Sequence, residues 1–211
     1  MRSADAATLI RVVIALAAAW LVLLKYNPWV IALMIGLAML LDAVDGYFAV
    51  SEASGGKVGI IDYIGYALGS KKKAFKVNSY RAKVKATAKF GARMDIAGDR
   101  IMEYAFWIVF TYLGLLPLGV LFLIMIRHSF VDALMGEKGT SSKMNTSFAS
   151  VVYSSKIGRL ITPVLKFLAF AYLAFVYVSG YPIMVGYALV GLLLFFILLR
   201  GAAEAYEAFA G

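Results

Sequence analysis

The sequence predicts an all-α, polytopic integral membrane protein with six transmembrane helices and both termini in the cytoplasm. Three observations lead there. Hydrophobic residues make up 63% of the 211-residue chain, where soluble domains hold roughly 45–50%. They gather in six runs of about 20 residues, the length at which a helix crosses the hydrocarbon core. The cations are sorted between the two ends of those runs, and that sorting sets orientation.

The first run, Ala7–Leu24, reads as a retained helix, because no small-residue cleavage site or polar stretch follows it. Trp29–Val50 comes next, then Met94–Leu113, Leu118–Leu134, Leu160–Val178 and Ile183–Leu199. Pro28, Pro117 and Pro182 sit in the links Lys25–Pro28, Gly114–Pro117 and Ser179–Pro182. Each link is about one turn long, so the helices pair as three antiparallel hairpins. Of the 21 Lys and Arg residues, these links hold only Lys25. Arg2, the Lys57–Arg93 stretch, Lys138 to Arg159 and Arg200 lie at the opposite ends. By the positive-inside rule those ends face the cytoplasm of a multi-pass cell-membrane protein. The whole chain, residues 1–211, reads as one membrane domain without internal repeats.

Composition narrows the chemistry. With no Cys and a single His, His128, disulfides, thiolate metal sites, cysteine nucleophiles and Ser-His-Asp triads are excluded or strongly disfavoured. His128 itself reads as a polar helix-end residue. The formal net charge of +9 is local. Residues 51–89 form a polar cytoplasmic insertion, and Lys71–Lys89 within it carries eight basic residues and no acid. One reading is a solvated loop obeying the positive-inside rule. The other is a surface helix or hairpin on anionic lipid headgroups, worth about 1 kcal/mol per basic residue, with Phe75, Val77, Tyr80 and Val84 as the apolar side of such a helix. Flanking membrane helices make nucleic acid an improbable partner. The preceding piece, Lys57–Leu68, fits neither helix nor strand by pattern.

The carboxylates are more informative, because ionisable groups in membrane segments are costly and mark functional sites. Asp42 and Asp45 close the second run at i, i+3; Asp95 and Asp99 open the third at i, i+4. Either spacing puts both side chains on one helix face. The predicted topology brings all four to the cytoplasmic ends of neighbouring antiparallel helices. Such a cluster needs compensation. Divalent cations supply it in one solution, and pairing with Arg93, Arg100 and Arg127 in the other. Oxygen ligands without His or Cys favour Mg²⁺, Mn²⁺ or Ca²⁺, and two such ions can grip a diphosphate. Gly46 and Gly91, each near a carboxylate, leave room for a ligand to approach the backbone.

These residues resemble the signature of the CDP-alcohol phosphatidyltransferases, D-x-x-D-G-x-x-A-R, eight residues, then G-x-x-x-D-x-x-x-D. Asp42-x-x-Asp45-Gly46-x-x-Ala49 matches the first half and Gly91-x-x-x-Asp95-x-x-x-Asp99 the second. Ala7-Thr8-Leu-Ile-Arg11 is similar to the family's Leu-Thr-x-x-Arg opening of the first helix. Two departures stand out. Val50 replaces the arginine, and 45 residues separate Gly46 from Gly91 because the basic insertion lies between them. A Lys or Arg of the insertion, or Arg93, is then the candidate replacement for the missing cation.

The resemblance implies a lipid transferase that joins a CDP-linked lipid to a small polar alcohol and releases CMP. It implies Mg²⁺ or Mn²⁺, as two ions, on Asp42, Asp45, Asp95 and Asp99, with Asp99 also the general base. Thr8, Gly46, Ala49, Gly91 and Arg93 would contact the CDP-lipid. A phosphorylated acceptor, glycerol 3-phosphate first and inositol phosphate or serine next, would meet Arg127, Lys156 and Arg159. The last two lie in a stretch similar to the Gly-Lys-x-Lys-Thr segment of phosphatidylglycerophosphate synthases, with Arg159 for the first Lys and Ile161 for the second. The same cations also read as juxtamembrane anchors. Glu103, one turn after Asp99, is a partner for Arg100 or Arg127. A homodimer is the family expectation. An ion transporter and an inactive lipid-binding scaffold are the other classes open; a transporter places its acids at mid-membrane, on broken helices.

Overall fold

The computed structural model describes residues 3–67, 70–87, 91–135, 146, 152 and 156–210. Every regular element among them is helical: α1 (Ser3–Leu23), α2 (Pro28–Ala53), α3 (Ile60–Ala67), α4 (Lys71–Thr87), α5 (Gly91–Tyr112), α6 (Leu118–Met135), α7 (Lys156–Ser179) and α8 (Ile183–Ala210). All six apolar runs are thus helical. Four helical stretches are long and apolar enough to cross a membrane: Ser3–Leu23, Pro28–Ala53, Ile161–Ser179 and Ile183–Ala210. They mark the chain as a membrane protein.

Local chemistry sets the boundaries. Asn27 Oδ1 accepts from Trp29 N at 2.9 Å, capping α2 ahead of Pro28, whose missing N–H costs nothing at a first helical position. Gly114 and Gly180 end α5 and α7 at φ 71° and 70°, a conformation that glycine adopts without a Cβ penalty. Helix α8 runs eleven residues beyond the expected Leu199, because Gly201-Ala-Ala-Glu-Ala continues with good helix formers and its acids are buried in pairs.

By internal packing the chain divides into two compact units, Met1–Ala17 with Gly36–Met102, and Ala18–Ile35 with Glu103–Gly211. In the first unit the insertion is a helical hairpin. Ser54 Oγ accepts from Val58 N at 3.1 Å, Gly55 and Gly56 turn the chain at positive φ, and α3 then packs on α4. Val50, Val58 and Val77 form its core, with Tyr63, Tyr66 and Tyr80 packed around them. Lys57–Leu68 therefore contains a helix, α3. Lys71–Lys89 is helical through Thr87, and Lys89 lies outside the described residues. The four-residue apolar side expected on α4 does not form. Val77 is buried, whereas Phe75 is 83% exposed, because 3.6 residues per turn put Phe75 about half a turn from Val77 and Val84.

The second unit packs α7 along α8 and α6 on α8. Its core is aromatic. Phe106 stacks on Phe170 at 5.1 Å, and Trp107 meets the same ring edge-on at 5.1 Å. Trp20, Tyr26, Trp29, Tyr112 and Tyr181 stand exposed near the helix ends, as aromatic side chains do at membrane interfaces.

Candidate metal and phosphate site

The first unit brings the two aspartate pairs together. One carboxylate oxygen each from Asp42, Asp45 and Asp95 lies within 4.8 Å of the others. Among them sits a cation that the pairing expectation did not include, Arg11 of α1. Its guanidinium has no exposed surface, pairs with Asp42, and lies 2.7 Å from Asp95 Oδ1, 2.9 Å from Asp99 Oδ1 and 4.0 Å from Asp45 Oδ2. Nη2 also donates to the Asp95 carbonyl at 3.1 Å. Helical spacing explains the convergence: i, i+3 on α2 and i, i+4 on α5 turn each pair toward α1.

Gly98 permits that approach. A Cβ there would stand 2.7 Å from Thr8 Cγ2 and 3.2 Å from Arg11 Nη2. Thr8 is 5% exposed, and its hydroxyl donates to Ala4 O at 3.2 Å. Its methyl group, rather than its oxygen, is thus the group at the α1–α5 contact.

The donor set fits a divalent metal. All its ligand atoms are carboxylate oxygens, the set that Mg²⁺ and Mn²⁺ select. The carboxylates also remain accessible, with Asp95 keeping 48% and Asp42 38% of its side-chain surface. Among these five side chains one guanidinium faces four carboxylates, so negative charge is in excess.

The inserted hairpin completes the wall. Tyr63 of α3 places its hydroxyl against Gly46, where a built Cβ would collide with Tyr63 Oη. Tyr63 contacts the rings of Tyr47 at 5.8 Å and Tyr66 at 5.9 Å. Burial pushes the phenol pKa above its ordinary value against the opposing charge of Arg81, with Tyr66, Asp45 and Asp95 adding to the rise. Its proton therefore stays in place at neutral pH. Arg81 of α4 hydrogen-bonds Tyr66 Oη, with its guanidinium 5.6 Å from the centre of that ring. Val50, where an arginine was expected, is 1% exposed beneath Val58 and Val77.

Compared with protein-family models, curated proteins and solved structures, the chain matches none.

The remaining expected residues fall as follows. Ala49 is half-buried on α2, Gly91 is the first residue of α5, and Arg93 is exposed two residues before Asp95. Arg127 belongs to the second unit, where Nη2 lies 2.6 Å from Glu204 Oε2 and the carboxylate is 4% exposed. Lys156 and Arg159 are in the first turn of α7, and their side chains lie outside the described residues. Glu103, expected opposite Arg100 or Arg127, is paired with Lys166 and lies beside His128. His128 corrects a second expectation. It is 1% exposed in the middle of α6, with Nε2 3.5 Å from Glu103 Oε2.

Arg11, Gly98 and Tyr63 are the site residues that sequence reasoning did not assign. A glycine immediately before Asp99, inside a helical run, was the available signal for Gly98.

Proposed function

We propose that this chain is a multi-pass membrane transferase that joins a CDP-activated lipid to a small polar alcohol, with glycerol 3-phosphate as the preferred acceptor, and releases CMP. The observation that carries the reading is the convergence of Asp42, Asp45, Asp95 and Asp99 around Arg11. Two spaced aspartate pairs, each with its glycine, meet in one cluster of accessible oxygens. The reading includes six spans, cytoplasmic termini and a cytoplasm-facing site, supported by the sorting of Lys and Arg along the chain.

Asp42, Asp45 and Asp95 would hold Mg²⁺ or Mn²⁺, with Asp99 sharing in the ligand set. Such ions offset the charge of the diphosphate and of the departing CMP. Arg11 aims the carboxylates at one point, so their geometry exists before substrate arrives. Asp99 takes the proton from the acceptor hydroxyl. The alcohol oxygen then bonds to the lipid-linked phosphorus, and the bond from that phosphorus to the CMP oxygen breaks. Gly46 and Ala49 on α2 and Gly91 at the start of α5 present backbone to the nucleotide, while Arg127, Lys156 and Arg159 supply cations for an acceptor phosphate. The four lysines and arginines of α4 that follow Lys73, with Phe75 exposed among them, suit an anionic headgroup layer.

The test is CMP release from CDP-diacylglycerol or its dialkyl counterpart by the purified protein. Mg²⁺ and Mn²⁺ are varied, and glycerol 3-phosphate, inositol phosphate and serine serve as acceptors. Turnover that needs the cation and prefers glycerol 3-phosphate is the expected result. No turnover with any acceptor, together with no cation-dependent CDP binding, rejects the enzyme reading.

A further inference from the structure

The inserted hairpin brings two hydrogen-bond donors to the edge of the carboxylate site, and among the described residues neither is committed to an anion. Tyr63 Oη rests against Gly46, the residue that follows the ligand-bearing Asp45. Among the described residues nothing hydrogen-bonds to that hydroxyl. Arg81 stands behind it, through the Tyr63–Tyr66 ring contact, and its one hydrogen-bond partner among the described residues is the neutral phenol of Tyr66. A half-buried guanidinium carries five N–H donors, and proteins ordinarily spend such a group on a carboxylate. Here it faces a ring and a hydroxyl.

Val50 explains how the two donors arrive. It lies one helical turn after Gly46 on the same face of α2. As a small apolar side chain it forms the socket for Val58 and Val77. An arginine at that position would put its charge into the valine cluster. The substitution at 50 and the insertion therefore act together: losing one long cation from α2 makes the seat on which the hairpin delivers Tyr63 and Arg81.

We infer that Tyr63 and Arg81 bind the phosphate groups of the donor substrate, taking the place of the absent arginine. This deepens the transferase reading and rests on it for the identity of the donor, but the chemistry recognised is a diphosphate. Tyr63 donates from its fixed position at Gly46. Arg81 exchanges Tyr66 for phosphate oxygens, because an anionic acceptor adds ion pairing and a bidentate fork that a phenol hydroxyl cannot offer. Lys73 and Lys76 do not compete for the role, since both are engaged by Asp62 at 3.7 and 2.8 Å.

The experiment is calorimetric titration of the full chain in phosphatidylcholine nanodiscs containing Mg²⁺, with CDP and with inorganic pyrophosphate as separate probes. Arg81→Gln should weaken both by about tenfold or more, Tyr63→Phe by several-fold, and Arg81→Lys should recover part of the loss. Nitroxides at Ile61→Cys and Phe75→Cys report whether the hairpin stays folded in each variant. With that distance unchanged, binding of both probes within twofold of wild type overturns the inference. Wild-type protein that binds pyrophosphate through these residues yet releases no CMP from CDP-lipid sinks the transferase reading and leaves the phosphate contacts standing. Binding of neither probe by wild type overturns both.

Discussion

Arg11 Nη2 stands 2.7 Å from Asp95 Oδ1, and the guanidinium that makes this contact has no exposed surface. One buried cation so placed organises four carboxylates from two other helices. Removing it leaves their repulsion uncompensated, and breaking a buried pair on one side typically costs about 3–5 kcal/mol. Arg11→Gln should therefore unfold at a clearly lower temperature than wild type in EDTA. Divalent cations bind the folded state and stabilise it by mass action, about 2.7 kcal/mol at a hundredfold excess over Kd. Mg²⁺ or Mn²⁺ should then raise the melting temperature of Arg11→Gln more than that of wild type. Equal responses would show that the carboxylates do not hold a cation.

The aspartates divide by role, and their substitutions should divide with them. Asp99→Asn keeps the shape of the side chain but cannot accept the acceptor's proton, so CMP release should fall by at least about a hundredfold. Magnesium-dependent CDP binding should survive, since Asp42, Asp45 and Asp95 remain within reach of one another. Asp42→Asn or Asp95→Asn should lose both. Turnover by Asp99→Asn at the wild-type rate would remove it from the role of base.

The four aspartates were legible in the sequence because helical spacing is a local rule: i, i+3 and i, i+4 act on residues one turn apart. Arg11 was visible only as part of the Thr8/Arg11 opening of the first helix. Its place among the carboxylates depends on a contact with a residue 84 positions away, which no periodicity encodes. The seat of the hairpin escaped for the same reason. Val50 read as a lost arginine, and only its packing beneath Val58 and Val77 reveals it as a socket. His128 looked polar and terminal because its partner, Glu103, lies on another helix. The apolar runs, by contrast, follow from composition and length and were readable, although among the described residues four helical stretches, not six, are long and apolar enough to cross a membrane.

Arg127 and Glu204 make a 2.6 Å pair of which little is exposed. Gly201, one turn before Glu204 at i−3, leaves space for it, since a Cβ there would meet Arg127 Nε at 2.8 Å. Glu204→Gln removes the charge facing the buried guanidinium and should lower stability, by up to about 3–5 kcal/mol. Arg127→Gln should in addition raise KM for glycerol 3-phosphate while leaving KM for CDP-lipid in place. An effect on melting temperature alone would assign Arg127 to structure.

Gly46 and Tyr63 should be coupled. Gly46→Ala drives a methyl group into the Tyr63 hydroxyl, and with α2 rigid behind it the hairpin must shift. Removing that oxygen makes room, because the next ring atom, Tyr63 Cζ, is at an ordinary 3.4 Å. The double variant Gly46→Ala/Tyr63→Phe should then recover stability that Gly46→Ala loses, with a coupling in the range of about 0.5–3 kcal/mol for contacting residues. Additive melting-temperature changes in the four-member cycle would place the two residues out of contact.

The hairpin should also loosen in acid, and the direction follows from Asp62. Its hydrogen bond with Lys76, 2.8 Å long, holds the carboxyl below its ordinary pKa, and Lys73 adds to the effect. A carboxyl whose folded pKa lies below its unfolded value stabilises the fold at pH above the unfolded value, near 3.9. That contribution disappears as pH falls through the lower, folded value. The chain has no cysteine, so nitroxides at Ile61→Cys and Phe75→Cys are unique reporters of the α3–α4 distance. At pH 7 the distribution should be narrow in the Asp62 protein and broader in Asp62→Asn, where no carboxylate bridges the helices. As pH falls through the lowered folded value, protonation removes the bridge from the Asp62 protein, and its distribution should approach that of the variant. High salt at pH 7 should move the Asp62 protein toward the variant, because this pair is partly exposed and is screened. Distributions that match at pH 7 would mean that the valine socket alone holds the hairpin together.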